Sequence, residues 1–112
     1  MSFLNDKFLE KWFQLSSIEQ MANIGAEVGR AINWKKKGEK NLSLNALFRA
    51  LDLIDASVVD KKNKNRLKEF LRTREILVDY FVGKNVYQTS ESQLEKYFYY
   101  FNFAANNIKF LC

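Results

Sequence analysis

Proline is absent from all 112 residues of this chain, and this absence constrains the fold more than any other feature. Proline interrupts helices because its ring removes an amide donor and collides with the preceding turn. A chain without proline favours long uninterrupted helices over the turn-rich designs of β proteins. Apolar residues recur every three or four positions along most of the chain, as on helices with one buried face. The sequence therefore predicts an all-α protein.

The apolar pattern predicts one short helical segment followed by four longer ones. These segments cover residues 3–15, 16–37, 42–59, 65–82 and 93–110. Links of about four to eight residues make consecutive helices antiparallel neighbours, and 112 residues are enough for one hydrophobic core but too few for two. We predict a single domain, residues 1–112, built as an antiparallel up-down four-helix bundle with an additional short N-terminal helix.

Local signals mark several helix ends and one close helix contact. Ser16 and Glu19 form a capping box at the start of the second segment, and Gly38 can end that segment in the left-handed conformation. Two overlapping capping boxes leave the start of the last segment open by about two residues. Gly25 and Gly29 each disfavour a helix interior by about 1 kcal/mol relative to alanine. They predict close approach of another helix or, as the alternative, of a ligand that needs bare backbone.

The last segment is unusual because its apolar residues occupy two sides of the helix. Seven aromatic residues lie within the eighteen residues of Gln93 to Phe110. The core-facing side is the usual apolar face and contains Leu94, Tyr97, Phe98, Phe101, Ala104, Ala105 and Ile108. Tyr99, Phe103 and Phe110 point roughly the opposite way.

Two interpretations account for the second aromatic side. In the first, Tyr99, Phe103 and Phe110 anchor a homodimer or a contact with another protein, since aromatic residues dominate buried interface energy. In the second, the N-terminal helix covers them with Trp12 and Phe13, which are themselves candidate interface residues. The first interpretation predicts a non-enzymatic interaction module that self-associates.

Charge offers an alternative function. The net charge is +5, and the excess lies in residues 61–84, with eight basic residues against three acidic ones. The basic residues around the start of the fourth segment oppose the helix dipole, so together with free backbone amides they make a candidate anion or nucleic-acid patch. Its members are Lys61, Lys62, Lys64, Arg66, Lys68 and Arg72. A solvated helix face explains the same charges without any ligand.

Arg74 falls in the middle of the apolar face predicted for the fourth segment. A lone buried guanidinium is very costly, so Arg74 needs a carboxylate partner or a wet cavity. We predict a buried ion pair with Asp55, and Glu27 is the second candidate partner. The alternative is a small-molecule pocket around Arg74.

The residue inventory argues against an enzyme. Histidine is absent and the one cysteine is Cys112, so zinc sites and Ser-His or Cys-His nucleophiles are excluded in practice. Glycine-rich phosphate loops are also missing. We therefore predict no catalytic residues, no cofactor and no metal. With no signal peptide and no apolar run of about 20 residues, the sequence predicts a cytoplasmic protein that does not enter a membrane.

Three stretches carry a resemblance to known proteins. The runs IEQMANIGAEVGRAINWKKKG, LFRALDLID and RLKEFLRTREILVDYFVG are similar to a small family of uncharacterised prokaryotic all-helical proteins, and the similarity spans nearly the whole chain. In layout the chain also resembles HEPN domains, the helical partners of prokaryotic nucleotidyltransferases. Nuclease members of that group carry an Arg-x4–6-His motif. This chain has no histidine, so the resemblance implies a helical fold and assigns no activity.

Overall fold

The computed structural model describes residues 5–111, and the side chains of residues 5–106. All regular structure in this part of the chain is helical, which confirms the all-α prediction. Five α-helices pack together, and a short 3-10 helix, Lys61–Arg66, joins the third to the fourth. The α-helices are α1 (Asp6–Phe13), α2 (Ser17–Lys36), α3 (Lys40–Val58), α4 (Leu67–Phe81) and α5 (Glu91–Leu111).

The predicted helix caps on α2 are confirmed. The Ser16 hydroxyl accepts a hydrogen bond from the Glu19 amide at 3.1 Å, and the Glu19 carboxylate accepts one from the Ser16 amide at 3.0 Å. Gly38 takes the left-handed conformation, with a φ of 77°. At α5 the earlier of the two capping boxes forms, because the Ser90 hydroxyl accepts from the Gln93 amide at 3.1 Å. These local signals set where both helices begin.

Helix α2 lies at the centre of the molecule, packed against α3 on one side and against α5 on the other. Helix α4 packs on α3, and α1 also packs on α3. The core between these helices is apolar, and its largest fully buried side chains include Met21, Ile24, Leu47, Ile54, Phe70 and Leu77. Helix α5 contributes Leu94, Phe98 and Phe101 to the same core.

The two glycines of α2 have different surroundings. A Cβ atom at Gly25 would lie 2.8 Å from the Cβ atom of Phe98, so Gly25 allows α2 and α5 to approach closely. This confirms the predicted close contact at Gly25. A Cβ atom at Gly29 would meet nothing within 4 Å. The prediction of a close helix contact is therefore wrong for Gly29, because α5 crosses nearer to Gly25.

Alanine substitutions separate the two glycines. Gly25→Ala should lower the free energy of unfolding by about 1–3 kcal/mol, because the new methyl group overlaps Phe98. Gly29→Ala should raise it by up to about 1 kcal/mol, because alanine favours a helix and has open space there. Urea denaturation of both variants at one protein concentration measures the difference. Equal effects of the two substitutions would contradict the assigned α2–α5 contact.

A buried polar network fixes the link between α3 and α4, where the sequence predicted only a polar connection. Asn63 is 1% exposed, and its amide nitrogen donates to the Gln20 side-chain oxygen at 2.7 Å and to the Ser57 carbonyl at 2.8 Å. The Asn63 side-chain oxygen accepts from the Ser17 hydroxyl. Within the described residues, every buried side-chain nitrogen and oxygen has a hydrogen-bond partner. The network holds residues 61–66 as a 3-10 helix.

Asp60 caps this 3-10 helix. Its carboxylate accepts hydrogen bonds from the Lys62 amide at 3.2 Å, from the Gln20 amide nitrogen at 2.8 Å and from the Lys62 ammonium group. Burial alone raises the pKa of Asp60, but the hydrogen bonds from Lys62 and Gln20 outweigh burial and hold this pKa below its ordinary value. Asp60 is therefore a charged member of the network.

Candidate functional site

The outward side of α5 carries three exposed aromatic side chains. Tyr99 is 66% exposed, Tyr100 63% and Phe103 55%. The rings of Tyr99 and Phe103 lie side by side, with centroids 6.4 Å apart. We call these three residues the aromatic ridge. The side chain of Phe110, the third residue predicted for this surface, lies outside the described part of the chain.

Tyr100 is the ridge residue that sequence reasoning missed. It lies four positions after Lys96 and three before Phe103, so helical spacing places all three on one side. The signal was therefore present in the sequence. The prediction considered only the residues directly opposite the core face, whereas the ridge is wider.

The inner side of α5 is anchored firmly, so the ridge stands on a well-packed helix. Phe98 and Phe101 are buried, and the ring of Tyr97 packs edge-on against both. The Tyr97 hydroxyl donates to a carboxylate oxygen of Glu69 at 2.9 Å, which connects α5 to α4. Burial, reinforced by the Glu69 carboxylate, raises the pKa of Tyr97 to about 12. Tyr97 therefore stays protonated as a hydrogen-bond donor.

The N-terminal helix does not cover the ridge. Trp12 is buried on α3, where its indole nitrogen donates to the Ser57 hydroxyl at 3.1 Å and its ring stacks on Phe8. The prediction that Trp12 is an interface residue is therefore wrong, because this side chain belongs to the core of the single chain. Phe13 is 38% exposed, and α1 as a whole packs against α3. Tyr99 and Phe103 stay exposed, so the interpretation in which Trp12 and Phe13 cover these two residues is wrong.

The ridge lies in an uncharged part of α5. Residues 97–108 contain no Lys, Arg, Asp or Glu, although such residues make up 28% of the chain. Among residues 97–106, whose side chains are described, the other exposed residues are Asn102 and Asn106. The surface thus combines large aromatic groups with neutral polar groups, which is the composition typical of the buried centre of a protein interface.

The basic patch is only partly available to a ligand. The Lys62 ammonium group donates to the Phe13 carbonyl at 2.8 Å and pairs with Asp60. Arg66 pairs with Glu69 at 3.3 Å, and the Arg72 guanidinium lies over the Tyr87 ring. Lys61, Lys64 and Lys68 remain exposed with neither an ion pair nor a ring contact to any described residue.

The predicted free helix start within this patch is also wrong. Helix α4 begins at Leu67 and continues directly from the 3-10 helix. The first turn of that 3-10 helix is capped by Asp60, whose carboxylate accepts from the Lys62 amide. A negatively charged cap therefore occupies the position where an anion was expected to bind.

Arg74 contacts its predicted partner but is not buried. Its guanidinium donates to the two carboxylate oxygens of Asp55 at 2.8 and 3.3 Å, and the side chains of both residues are more than a third exposed. The predicted burial is wrong because the inward face of α4 is centred on Phe70, Thr73 and Leu77, which places Arg74 at the rim. The hydrogen bonds that Arg74 donates to the Asp55 carboxylate raise the pKa of Arg74.

Glu27, the second candidate partner of Arg74, instead binds two other arginines. Its carboxylate accepts from Arg49 at 2.7 Å and from Arg30 at 2.5 Å. Within the described residues no group of three or more His, Cys, Asp or Glu side chains is placed to hold a metal ion. None of the helices in that part of the chain is both long and apolar enough to cross a bilayer.

Comparisons with known protein families, curated proteins and solved structures return no match to this chain.

Proposed function

We propose that this chain is a non-enzymatic interaction module that forms a homodimer through the aromatic ridge. The observation that carries this proposal is the exposure of Tyr99, Tyr100 and Phe103 together on one helix. Exposed apolar patches of this kind mark interaction sites, because monomeric proteins rarely leave several neighbouring large aromatic side chains in contact with water. Tyrosine and phenylalanine also supply large contact areas and are enriched in interfaces.

The absence of charge on the ridge favours a second copy of the chain as the partner. In a two-fold dimer the same patch meets itself, so a charged patch would face its own sign. Residues 97–108 carry no charge at all, so two copies can bring their ridges into one interface without repulsion. The three ridge residues themselves offer an acidic or basic partner no electrostatic attraction.

Placing a carboxylate in the ridge should separate the two copies. We expect Phe103→Asp to raise the dimer dissociation constant by about 30-fold or more, since a central aromatic anchor is lost and a charge is buried in the interface. The matched control is Phe48→Asp on α3. Phe48 is 52% exposed against 55% for Phe103, so both substitutions change a phenylalanine of similar exposure.

Light scattering coupled to gel filtration measures the two variants over a range of concentrations under reducing conditions, which keep Cys112 from linking chains. The proposal expects a dimeric Phe48→Asp variant and a largely monomeric Phe103→Asp variant. Dimerisation of both variants with wild-type affinity would remove the ridge from the interface.

We further propose that the helices form the antiparallel four-helix bundle predicted from the sequence, with α1 as the addition. Contacts between α2 and α3 support opposite directions, because Ala31 lies near Ser43 and Glu27 near Arg49. The Tyr97–Glu69 hydrogen bond supports closure between α4 and α5. We also propose a cytoplasmic protein that belongs with the prokaryotic all-helical family it resembles.

The second candidate function is nucleic-acid association through the basic segment 61–74. The exposed Lys61, Lys64 and Lys68 support it. Titration with labelled RNA and DNA at two salt concentrations is the test, and binding that weakens steeply with salt is expected because phosphate contacts release counterions. Replacement of the three lysines by glutamine should then abolish binding. Absence of binding at low salt would eliminate this candidate.

A further inference from the structure

An apolar groove runs beside the aromatic ridge, between α2 and α5. Its volume is about 740 Å³. The α2 side is built from small residues that include Ala22, Ala26 and Gly29. The opposite side is formed by α5 and includes the charged Glu95 and Lys96 as well as Tyr99 and Asn102. We call this the α2–α5 groove. Tyr99 belongs to both features, so the groove and the ridge form one continuous surface.

Gly29 has no role that the single chain explains. Unlike Gly25, it has no other side chain and no atom of another helix within 4 Å of the position that a Cβ atom would take. Glycine weakens a helix relative to alanine because its backbone loses more conformational freedom on folding. The α2 backbone is thus left bare toward the groove, where another molecule could approach it closely.

The ridge by itself is too small for a stable dimer. A specific interface buries about 800 Å² on each partner. With each aromatic side chain able to bury about 150–250 Å², the exposed parts of the three ridge residues amount to roughly 350 Å². A dimer built on the ridge therefore needs further contact area next to it, and the α2–α5 groove is the adjoining apolar surface.

We infer that the α2–α5 groove of one chain receives the aromatic ridge of a second copy, and that the exchange is reciprocal about a two-fold axis. Because the ridge and the groove lie side by side, the ridge of each copy can fill the groove of the other, and the same contact forms twice in such a dimer. The occupant of the groove is a second copy, because the ridge alone falls short of a stable interface and the two charged residues of the groove, Glu95 and Lys96, have opposite signs. This inference rests on the proposed function and specifies how the two copies dock.

A bulky residue in the groove tests the docking while the ridge stays intact. We expect Gly29→Leu to raise the dimer dissociation constant about 30-fold or more, because the leucine fills the space that the partner ring enters. The same substitution favours the helix, so the single chain should still fold, which circular dichroism checks. The control is Asn45→Leu, an exposed position on α3, which should leave the dissociation constant within about threefold of wild type, since isolated surface changes have small effects.

The outcomes distinguish this inference from the proposed function. Loss of dimer in Gly29→Leu with a dimeric Asn45→Leu supports the docking. A Gly29→Leu variant that dimerises like wild type overturns the groove as the binding site and leaves the ridge proposal standing. A wild-type chain that is monomeric overturns both.

A second measurement keeps the inference testable if Gly29→Leu fails to fold. A photoreactive benzophenone amino acid replaces Phe103, and the labelled chain is mixed with an isotopically heavy wild-type chain. Mass spectrometry should find cross-links to residues 22–32 of the heavy chain. Cross-links confined to other helices of that chain would overturn the inference.

Discussion

Replacing Trp12 by alanine should lower the free energy of unfolding by about 3–5 kcal/mol, as removal of a buried tryptophan usually does. The indole is 5% exposed and stacks on Phe8, with ring centroids 5.9 Å apart. Its nitrogen donates to the Ser57 hydroxyl, which in turn donates to the Leu53 carbonyl at 2.9 Å. The substitution therefore removes both apolar contact and a buried hydrogen bond. Because Trp12 is the buried residue of α1, its loss should also detach that helix from α3.

The next residue provides the control. Phe13 is also aromatic and on the same helix, but it is 38% exposed. Phe13→Ala should lower the free energy of unfolding by about 1 kcal/mol or less, the usual scale for partly exposed positions. Urea denaturation followed by circular dichroism compares the two variants. Similar losses for both would contradict the placement of Trp12 in the core.

Replacing Asn63 by alanine should lower the free energy of unfolding by about 2–4 kcal/mol. The change removes three side-chain hydrogen bonds, with Gln20, Ser57 and Ser17 as the partners. The Gln20 side-chain oxygen then lacks its partner in a fully buried position, and an unsatisfied buried acceptor costs about 1–3 kcal/mol. The 3-10 helix that Asn63 holds should also loosen.

Asn65 is the matched control because it lies in the same 3-10 helix but is exposed. Asn65→Ala should change the free energy of unfolding by less than about 0.5 kcal/mol. Hydrogen exchange at residues 61–66 gives a second measurement, and faster exchange is expected in Asn63→Ala alone. Equal stability of the two variants would show that the buried network does not hold this segment.

Features set by neighbours in the sequence were predictable. The capping box at Ser16 and the left-handed Gly38 depend on residues within one turn, and both were found where expected. The all-helical fold followed in the same way from proline absence and apolar spacing. The buried core face of α5 was also predicted, since Leu94, Phe98 and Phe101 repeat at helical spacing and are buried.

Features set by the orientation of one helix against another were harder to predict. The apolar residues of α1 surround much of a short helix, so the sequence could not indicate whether α3 or α5 would receive Trp12. For α4, the apolar pattern predicted a buried face centred near Arg74. In the structure Thr73 is buried and Arg74 is not, and the Thr73 hydroxyl lies 3.3 Å from the hydroxyl of Tyr97. Helix α4 is thus rotated relative to the prediction, which moves Arg74 to the surface, where it pairs with Asp55 of α3.

In the 3-10 helix the structure differs from the sequence prediction for another reason. Residues 60–66 look like a charged surface link when read alone. Asp60 and Asn63 are nevertheless buried, because Gln20 and Ser57 supply hydrogen bonds from two other helices. Polar partners that are 6–43 residues away in the chain cannot be read from local composition.

Sedimentation equilibrium of the wild-type chain tests self-association, the central claim, most directly. The single chain has a mass of 13.2 kDa. Under reducing conditions and at micromolar concentrations, the account predicts a mass close to twice that value, falling toward one chain on dilution. A mass of 13.2 kDa at every concentration would contradict it.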